Sequence, residues 1–194
     1  MKYNLRTSLR IVLFVSLWAA VTAAATGPWR AGQAEVNVKC PMTVGGSFDA
    51  RTEALTGTLT ASAGRPSAFQ GSLAVDLRSV DTGIDLRNEH LREKYLEVDK
   101  GAGYDQAVLS DVTLQGVNAD TPAGKGSFTG SLMLHGVKKT VTGPVEIRQA
   151  GTVWRVRASF PVHLPDYNID KPRYLGVGVK DTVQVSVTVT VTQS

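Results

Sequence analysis

Cysteine is nearly absent from this chain, which carries Cys40 and no second cysteine among its 194 residues. A single thiol cannot close an intrachain disulfide, so the fold must be stabilised by packing. No histidine or aspartate stands beside Cys40 in the sequence. We therefore interpret this residue as a small strand residue rather than a nucleophile.

Recognisable catalytic motifs are also missing. The chain contains no H-E-x-x-H, G-x-S-x-G, P-loop or C-x-x-C sequence. The spacing of its histidines, which are His90, His135 and His163, matches no metal motif, although His90 with Glu93 could contribute to one. We therefore predict a protein that is not an enzyme, with no catalytic residue, no metal site and no cofactor.

An apolar run long enough to span a membrane is absent as well. The longest run, Ile11 to Val21, is shorter than the roughly 20 residues of a spanning helix. Three cations precede it, namely Lys2, Arg6 and Arg10, and small residues follow it at 23–25. This order predicts a cleaved signal peptide over 1–25 and a periplasmic or secreted mature protein. An uncleaved N-terminal anchor is the alternative.

Excess charge of one sign is lacking in the mature chain. The whole chain carries a net charge of +4, and removing the three cations of the leader leaves +1. No basic stripe remains, so we expect no nucleic-acid partner. No linker, charge block or fixed-period repeat divides residues 26–194, which we predict to be one domain.

Alternation of apolar and polar residues is abundant. Near the C-terminus Val183, Val185, Val187, Val189 and Val191 alternate with polar residues, which predicts a strand with one apolar face. The pattern predicts strands at 34–40, 54–62, 68–77, 107–115, 126–135, 140–148, 153–164 and 181–192. Eight such strands must close or stack to cover their apolar faces.

One segment, from Ile84 to Tyr95, has apolar residues at near-helical spacing and predicts a short helix. The expected fold is therefore all-β, an antiparallel eight-stranded β-barrel with one short helix at an end. Such a barrel is either filled by side chains or holds one ligand. Gly57, Gly71 and Gly130 lie on the apolar faces, where glycine permits tight coiling or leaves room in the lumen. Residues 165–180 fit no strand and are interpreted as a lid-like loop or a plain crossover.

Four stretches carry a family resemblance. After the strand that begins at Phe69, the chain has Ser79, Thr82-Gly83 and Arg87-Asn88-Glu89-His90-Leu91, similar to S-x-x-T-G and R-D-x-H-L. The other three are Leu132 to Lys139, similar to L-T-I-x-G-V-T-K, residues 166–169, similar to D-Y-G-I, and residues 179–183, similar to V-x-D-x-V. In this order they resemble the YceI-like family of exported bacterial lipid-binding proteins. Asn88 stands where the family usually has an aspartate.

The resemblance implies an extended, lipocalin-like barrel whose lumen takes long polyisoprenoid chains, including quinone tails. Burial of each CH₂ contributes about 0.8 kcal/mol, so such binding needs a dry tunnel and no catalytic group. The predicted lumen residues are Phe69, Leu73, Phe128, Leu132, Phe160, Val162, Val185 and Val187. The predicted residues at the mouth, for a polar head group, are Arg87, His90, Tyr95, Tyr167, Arg173 and Tyr174. The alternative for both sets is a purely structural role.

The sequence thus predicts an exported protein that sequesters or carries a polyisoprenoid, or a similar long amphiphile, without making or breaking a bond. Its expected partner is a long-chain isoprenoid lipid or quinone, and the family likeness alone adds a homodimer. Two alternatives stay open. One is an enzyme that uses the same barrel with haem or a metal at His90 or His135, and the other is a ligand-free periplasmic interaction module with a filled core.

Overall fold

Eleven strands make up most of the computed structural model, which describes residues 27–117, 123–171, 173–174 and 177–193. The predicted signal peptide lies outside the described residues, and at Pro66, Arg173, Tyr174 and Val177 the backbone alone is described. The strands are β1 Trp29–Pro41, β2 Ser47–Thr52, β3 Leu55–Ser62, β4 Arg65–Asp76, β5 Gln106–Gln115, β6 Gly124–Leu134, β7 Val137–Ala150, β8 Val153–His163, β9 Arg173–Tyr174, β10 Val177–Gly178 and β11 Thr182–Gln193. No helix among the described residues combines the length and apolarity needed to cross a membrane.

The main sheet closes into a barrel. Strands β3 to β8 pair in chain order, β8 pairs with β11, and β11 returns to β1 with Val36 opposite Val187. Strands β2 and β3 both pair with β1 in one continuous register, and a break at 53–54 separates them. They therefore act as one interrupted strand. The predicted eight-stranded antiparallel barrel is confirmed.

Strand β2 was not expected from the sequence. It follows Pro41 and the Gly45-Gly46 pair, and its six residues place only Phe48 and Ala50 on the apolar face, with Thr52 beyond them. Two apolar positions are too few for a period-2 signal. Pairing with β1 along six positions, from Val36 to Pro41, defines this strand instead.

The predicted helix at one end is present as α1, Asp85–His90, continued by a π-helical turn at Leu91–Tyr95. Short 3-10 turns occupy Leu77–Ser79, Val98–Lys100 and Leu164–Tyr167. The buried amide of Asn88 fixes the start of the helix. Its oxygen accepts hydrogen bonds from the backbone N–H and the hydroxyl of Thr82, and its nitrogen donates to Asp81 at 2.7 Å.

Asp81 in turn joins this helix to the barrel. Its backbone exchanges two hydrogen bonds with Arg51 of β2, at 2.7 and 2.8 Å. Its carboxylate accepts from the N–H of Gly83, and this bond, followed by that from Asn88, lowers its pKa. The helix is therefore held over one end of the barrel by hydrogen bonds rather than by its own length.

The barrel interior is filled at the end opposite the helix. Ala34 and Val189 are buried together there. Nearer the rim of that end, Trp29 and Trp154 pack edge to face with ring centroids 4.6 Å apart. Side chains from three strands thus fill this half as a packed core.

The glycines on the apolar faces mark close approach between strands. At Gly57, with φ +135°, an added Cβ would lie 2.2 Å from the carbonyl oxygen of Ser72. At Gly71, with φ +99°, the same test gives 2.2 Å to the carbonyl oxygen of Thr58. Both glycines are needed for strand coiling, and neither lines the open part of the interior.

Candidate functional site

A cavity of about 840 Å³ occupies the helix end of the barrel. Its walls come from the strand ends nearest the helix, including Val38 of β1, Leu134 of β6 and Val183 of β11. Phe160 also lines it and packs edge to face on Phe128, which is buried deeper, with ring centroids 5.6 Å apart. This volume falls within the roughly 300–1,000 Å³ of small-molecule sites.

Two pieces of chain cover the open end. The first, which we call the helix segment, is Ile84 to Leu96, and eight of its residues border the cavity. The second, which we call the loop segment, is the described part of residues 164–180, and it contributes Leu164, Ile169 and Val179. Part of the loop at 165–180, interpreted above as lid-like or as a plain crossover, therefore borders the cavity.

The walls are almost entirely aliphatic or aromatic, and the one thiol behaves as part of them. Cys40 lines the cavity and is half-buried. Burial, reinforced by the charge of Asp49 and opposed by that of Arg87, raises the pKa of Cys40 to about 11. The thiol is therefore protonated at neutral pH and contributes a small, uncharged surface.

The entrance is rimmed by exposed apolar side chains. Ile84 and Leu86 border the cavity while 50% and 60% of their surface remains exposed. Val44 is 69% exposed and follows the cavity-lining Met42 by two residues. Because lining residues reach solvent here, the cavity opens beside the helix segment.

A buried histidine ties the two covers together. The Nδ1 atom of His135 lies 2.9 Å from the carbonyl oxygen of Tyr167, in the loop segment. Its Nε2 atom lies 3.0 Å from the Glu97 carboxylate, directly after the helix segment. Both partners accept hydrogen bonds, so both bonds form together only when each ring nitrogen carries a proton. His135 therefore links the two covers through its two ring nitrogens.

Charge around Glu97 supports this arrangement. Lys100 donates to the same carboxylate at 2.7 Å, and this bond, with a smaller contribution from His135, lowers the pKa of Glu97. Tyr104 packs edge to face on the His135 ring at 4.7 Å. The sequence did not predict the contacts of His135 with Tyr167 and Glu97. His135 lies in the turn between β6 and β7, with φ +51°, where the alternation of a strand no longer says which way a side chain points.

Four of the eight predicted lumen residues line the cavity, namely Leu132, Phe160, Val162 and Val185. The other four lie outside its lining. Phe128 is buried beneath it, Leu73 packs in the filled half, and Val187 packs against both parts of the core. Phe69 is half-buried and belongs to neither core cluster. A ligand role for these four residues therefore stays a prediction.

Of the predicted mouth residues, Arg87, His90 and Tyr95 line the cavity. Tyr167 does not, because it is 2% exposed within the core, where burial raises its pKa. The side chains of Arg173 and Tyr174 lie outside the described residues. The lining residues that sequence reasoning missed come mostly from β2 and the two covers, and include Phe48, Ala50, Ile84, Leu86, Lys94 and Ile169.

A metal-binding group is not apparent in the part of the chain that the structure describes, where no three histidine, cysteine, aspartate or glutamate side chains converge. His90 lines the cavity, whereas both nitrogens of His135 already have protein partners. Neither histidine is thus placed in a cluster of metal-ligating side chains.

Several solved structures share this fold. A polyisoprenoid-binding domain from Saccharophagus degradans, implicated in plant cell wall breakdown, aligns with a TM-score of 0.64 at 19% identity, over 86% of this chain and 98% of its own. BcnA from Burkholderia cenocepacia gives 0.64 at 20% identity, over 81% and 95%. The Campylobacter jejuni YceI protein gives 0.53 at 16%, over 75% and 84%. These likenesses establish the shared fold.

No functionally curated protein matches the chain at a significant level. A family model does match: the YceI-like domain covers residues 29–191, which is every barrel strand except the last two residues of β11. The resemblance inferred from the four sequence stretches is confirmed, and the chain belongs to the YceI-like family.

Proposed function

We propose that this protein binds a long isoprenoid-type lipid, such as a quinone with its tail, or a similar amphiphile, in the cavity at the helix end of the barrel. The observation that carries the proposal is an apolar cavity of about 840 Å³ that is open at one end and closed by packed side chains at the other. Binding is reversible burial, and no bond is made or broken.

The wall chemistry supports a chain-like apolar ligand. Leu132, Val162 and Val185 offer branched aliphatic surface without hydrogen-bonding groups. Each buried CH₂ contributes about 0.8 kcal/mol, so a few isoprene units supply useful affinity after ordering costs. The Saccharophagus degradans domain of the same fold is itself a polyisoprenoid-binding domain.

Export and dimerisation form the second part of the proposal. The leader over 1–25 supports a periplasmic or secreted protein, in which the barrel carries or sequesters lipid outside the cytoplasm. Fractionation of cells, with mass measurement of the mature N-terminus, tests export, and light scattering of the purified protein tests the homodimer. Mature protein found in the cytoplasm would contradict the first, and a monomer at all concentrations would contradict the second.

Native mass spectrometry of the mature protein, followed by organic extraction, tests lipid binding. We expect a retained mass that the solvent releases as an isoprenoid or related amphiphile. Val185→Trp, which places a large side chain in the cavity, should abolish retention. Gln184→Trp is the matched control, because Gln184 is the exposed neighbour on the outer face of β11. If the folded protein takes up no added lipid, the result would contradict lipid binding and favour the alternative of a ligand-free interaction module with a filled core.

A further inference from the structure

The charged groups that border the cavity are mostly of one sign. The helix segment presents Arg87, His90 and Lys94 to the cavity, at intervals of three and four residues that place them on one helical face. Its acids, Asp85, Glu89 and Glu93, are all exposed and lie outside the lining. The acidic groups of this segment therefore face solvent, whereas two of its cations, Arg87 and Lys94, border the cavity; the third, Arg92, lies outside the lining and donates to the carbonyl of Val80.

The two full cations of this face have no carboxylate within ion-pair distance in the described part of the chain. Arg87 packs its guanidinium 4.3 Å from the centre of the Phe48 ring, and Lys94 is exposed at the rim. Asp170 is the one acid among the lining residues and does not form an ion pair with either of them. The mouth thus keeps an excess of positive charge.

The position of Arg87 makes this charge effective inside the cavity. Its guanidinium is half-buried on an aromatic face, where it is partly desolvated and held in place. At the nearby Cys40 thiol, burial and the charge of Asp49 raise the pKa, and the charge of Arg87 opposes them without outweighing them. A negatively charged head group in direct contact with this guanidinium would accept charge-assisted hydrogen bonds from its planar N–H donors.

From this arrangement we infer that the mouth of the cavity binds an anionic head group, so that the ligand is an acidic amphiphile whose head is a carboxylate or a phosphate. The inference rests on the proposed lipid binding and adds the chemistry of the head. A neutral quinone head would leave the charges of Arg87 and Lys94 without a counter-charge. An acidic head pairs with them while its chain fills the aliphatic interior.

Binding of three probes that share one chain tests the inference: hexadecanoic acid, hexadecyl phosphate and hexadecan-1-ol. Titrated into delipidated mature protein at neutral pH, both acids should bind about 10-fold or more tightly than the alcohol, as expected for charge-assisted hydrogen bonds. The preference should weaken as salt is raised, because the mouth is partly exposed. A preference for only one of the two acids supports the inference and identifies the head.

Substitutions assign the preference to residues. Arg87→Gln combined with Lys94→Gln should bring the acids to within about 2-fold of the alcohol when all three probes are measured on the same folded variant. Lys94→Gln alone, at an exposed position away from the Phe48 contact, should remove part of the preference without affecting packing. Lys39→Gln is the matched control, since Lys39 is exposed on the outer face of β1 between two lining residues and should leave the preference intact.

The outcomes separate this inference from the proposal on which it depends. Equal binding of acids and alcohol would overturn the anionic head while leaving lipid binding in place. An acid preference that survives in the folded double variant would overturn the assignment to Arg87 and Lys94. Failure of all three probes to bind would overturn lipid binding itself.

Discussion

Replacing His135 with phenylalanine tests the link between the two covers of the cavity. The variant keeps a ring of similar size against Tyr104 but removes the two ring nitrogens that lie within hydrogen-bond distance of the Tyr167 carbonyl and the Glu97 carboxylate. Tyr167 is 2% exposed, so its carbonyl loses a buried hydrogen bond, which costs about 1–3 kcal/mol. The Glu97 side chain is 32% exposed and recovers bonds to water and Lys100.

We therefore expect the free energy of unfolding to fall by about 2 kcal/mol, mostly from the buried carbonyl. In a domain of this size that corresponds to a fall in Tm of roughly 4–8 °C. Urea denaturation at neutral pH measures the first quantity and a thermal scan the second. The lipid off-rate should rise as well, because the helix segment and the loop segment lose their shared partner.

His163 provides a matched control for this substitution. Its Nδ1 atom also pairs with a carboxylate, that of Asp166 at 3.1 Å, but both side chains are about half exposed. Exposed pairs contribute little, so His163→Phe should change the free energy of unfolding by less than about 0.5 kcal/mol. Equal effects of the two substitutions, or a negligible effect at His135, would refute the reasoning that the tie stabilises the covers.

Three further predictions follow from the same geometry. The raised pKa of Cys40 makes its thiolate about 100-fold scarcer, and the greater nucleophilicity of a more basic thiolate offsets part of this loss. A small maleimide should therefore label Cys40 roughly 10-fold more slowly than an unperturbed thiol. Labelling as fast as in the urea-unfolded protein would contradict this. The pKa of Asp81 is lowered first by the N–H of Gly83, so its carboxylate stabilises the fold above its ordinary value of 3.8, and this contribution is lost as the pH falls through the lower pKa of the folded state. Asp81→Asn should therefore be less stable at neutral pH and lose less stability on acidification, as measured by denaturation across pH; parallel pH curves would speak against it. At Gly143 an added Cβ would lie 1.9 Å from a carbonyl oxygen of β8. Gly143→Ala should therefore lower the free energy of unfolding by about 1–3 kcal/mol, as measured by urea denaturation. An unchanged urea midpoint would disprove the close approach.

Alternation along the chain predicted the inward faces of most barrel strands, but not of β5, where a register shift between Ser110 and Thr113 places Ala107 rather than Val108 against the core. In β11 the residues Val183 and Val189 are buried while Gln184 is exposed, as the period of two requires. The same reasoning gave the strand count and the helix at one end. It missed β2, because a six-residue strand with two apolar positions carries no periodic signal of its own.

Depth along the barrel could not be predicted from the same pattern. Phe128 and Leu132 lie on one face of β6, four residues apart, yet Leu132 lines the cavity and Phe128 is packed beneath it. Alternation assigns a side chain to a face but says nothing about whether other strands fill the space opposite. That is why half of the predicted lumen residues lie outside the cavity lining.

The sequence by itself thus determined which side chains turn inward, because face and period are local properties of each strand. Only the tertiary structure decided that one half of the barrel is filled and the other open, since a cavity depends on side chains from strands far apart in the chain. It also decided that His135 meets Glu97 and Tyr167, residues 38 and 32 positions away, and that the cations of the helix segment face the cavity. These contacts follow from closure of β11 on β1 and from the docking of the helix on β2, and neither leaves a periodic trace in the sequence.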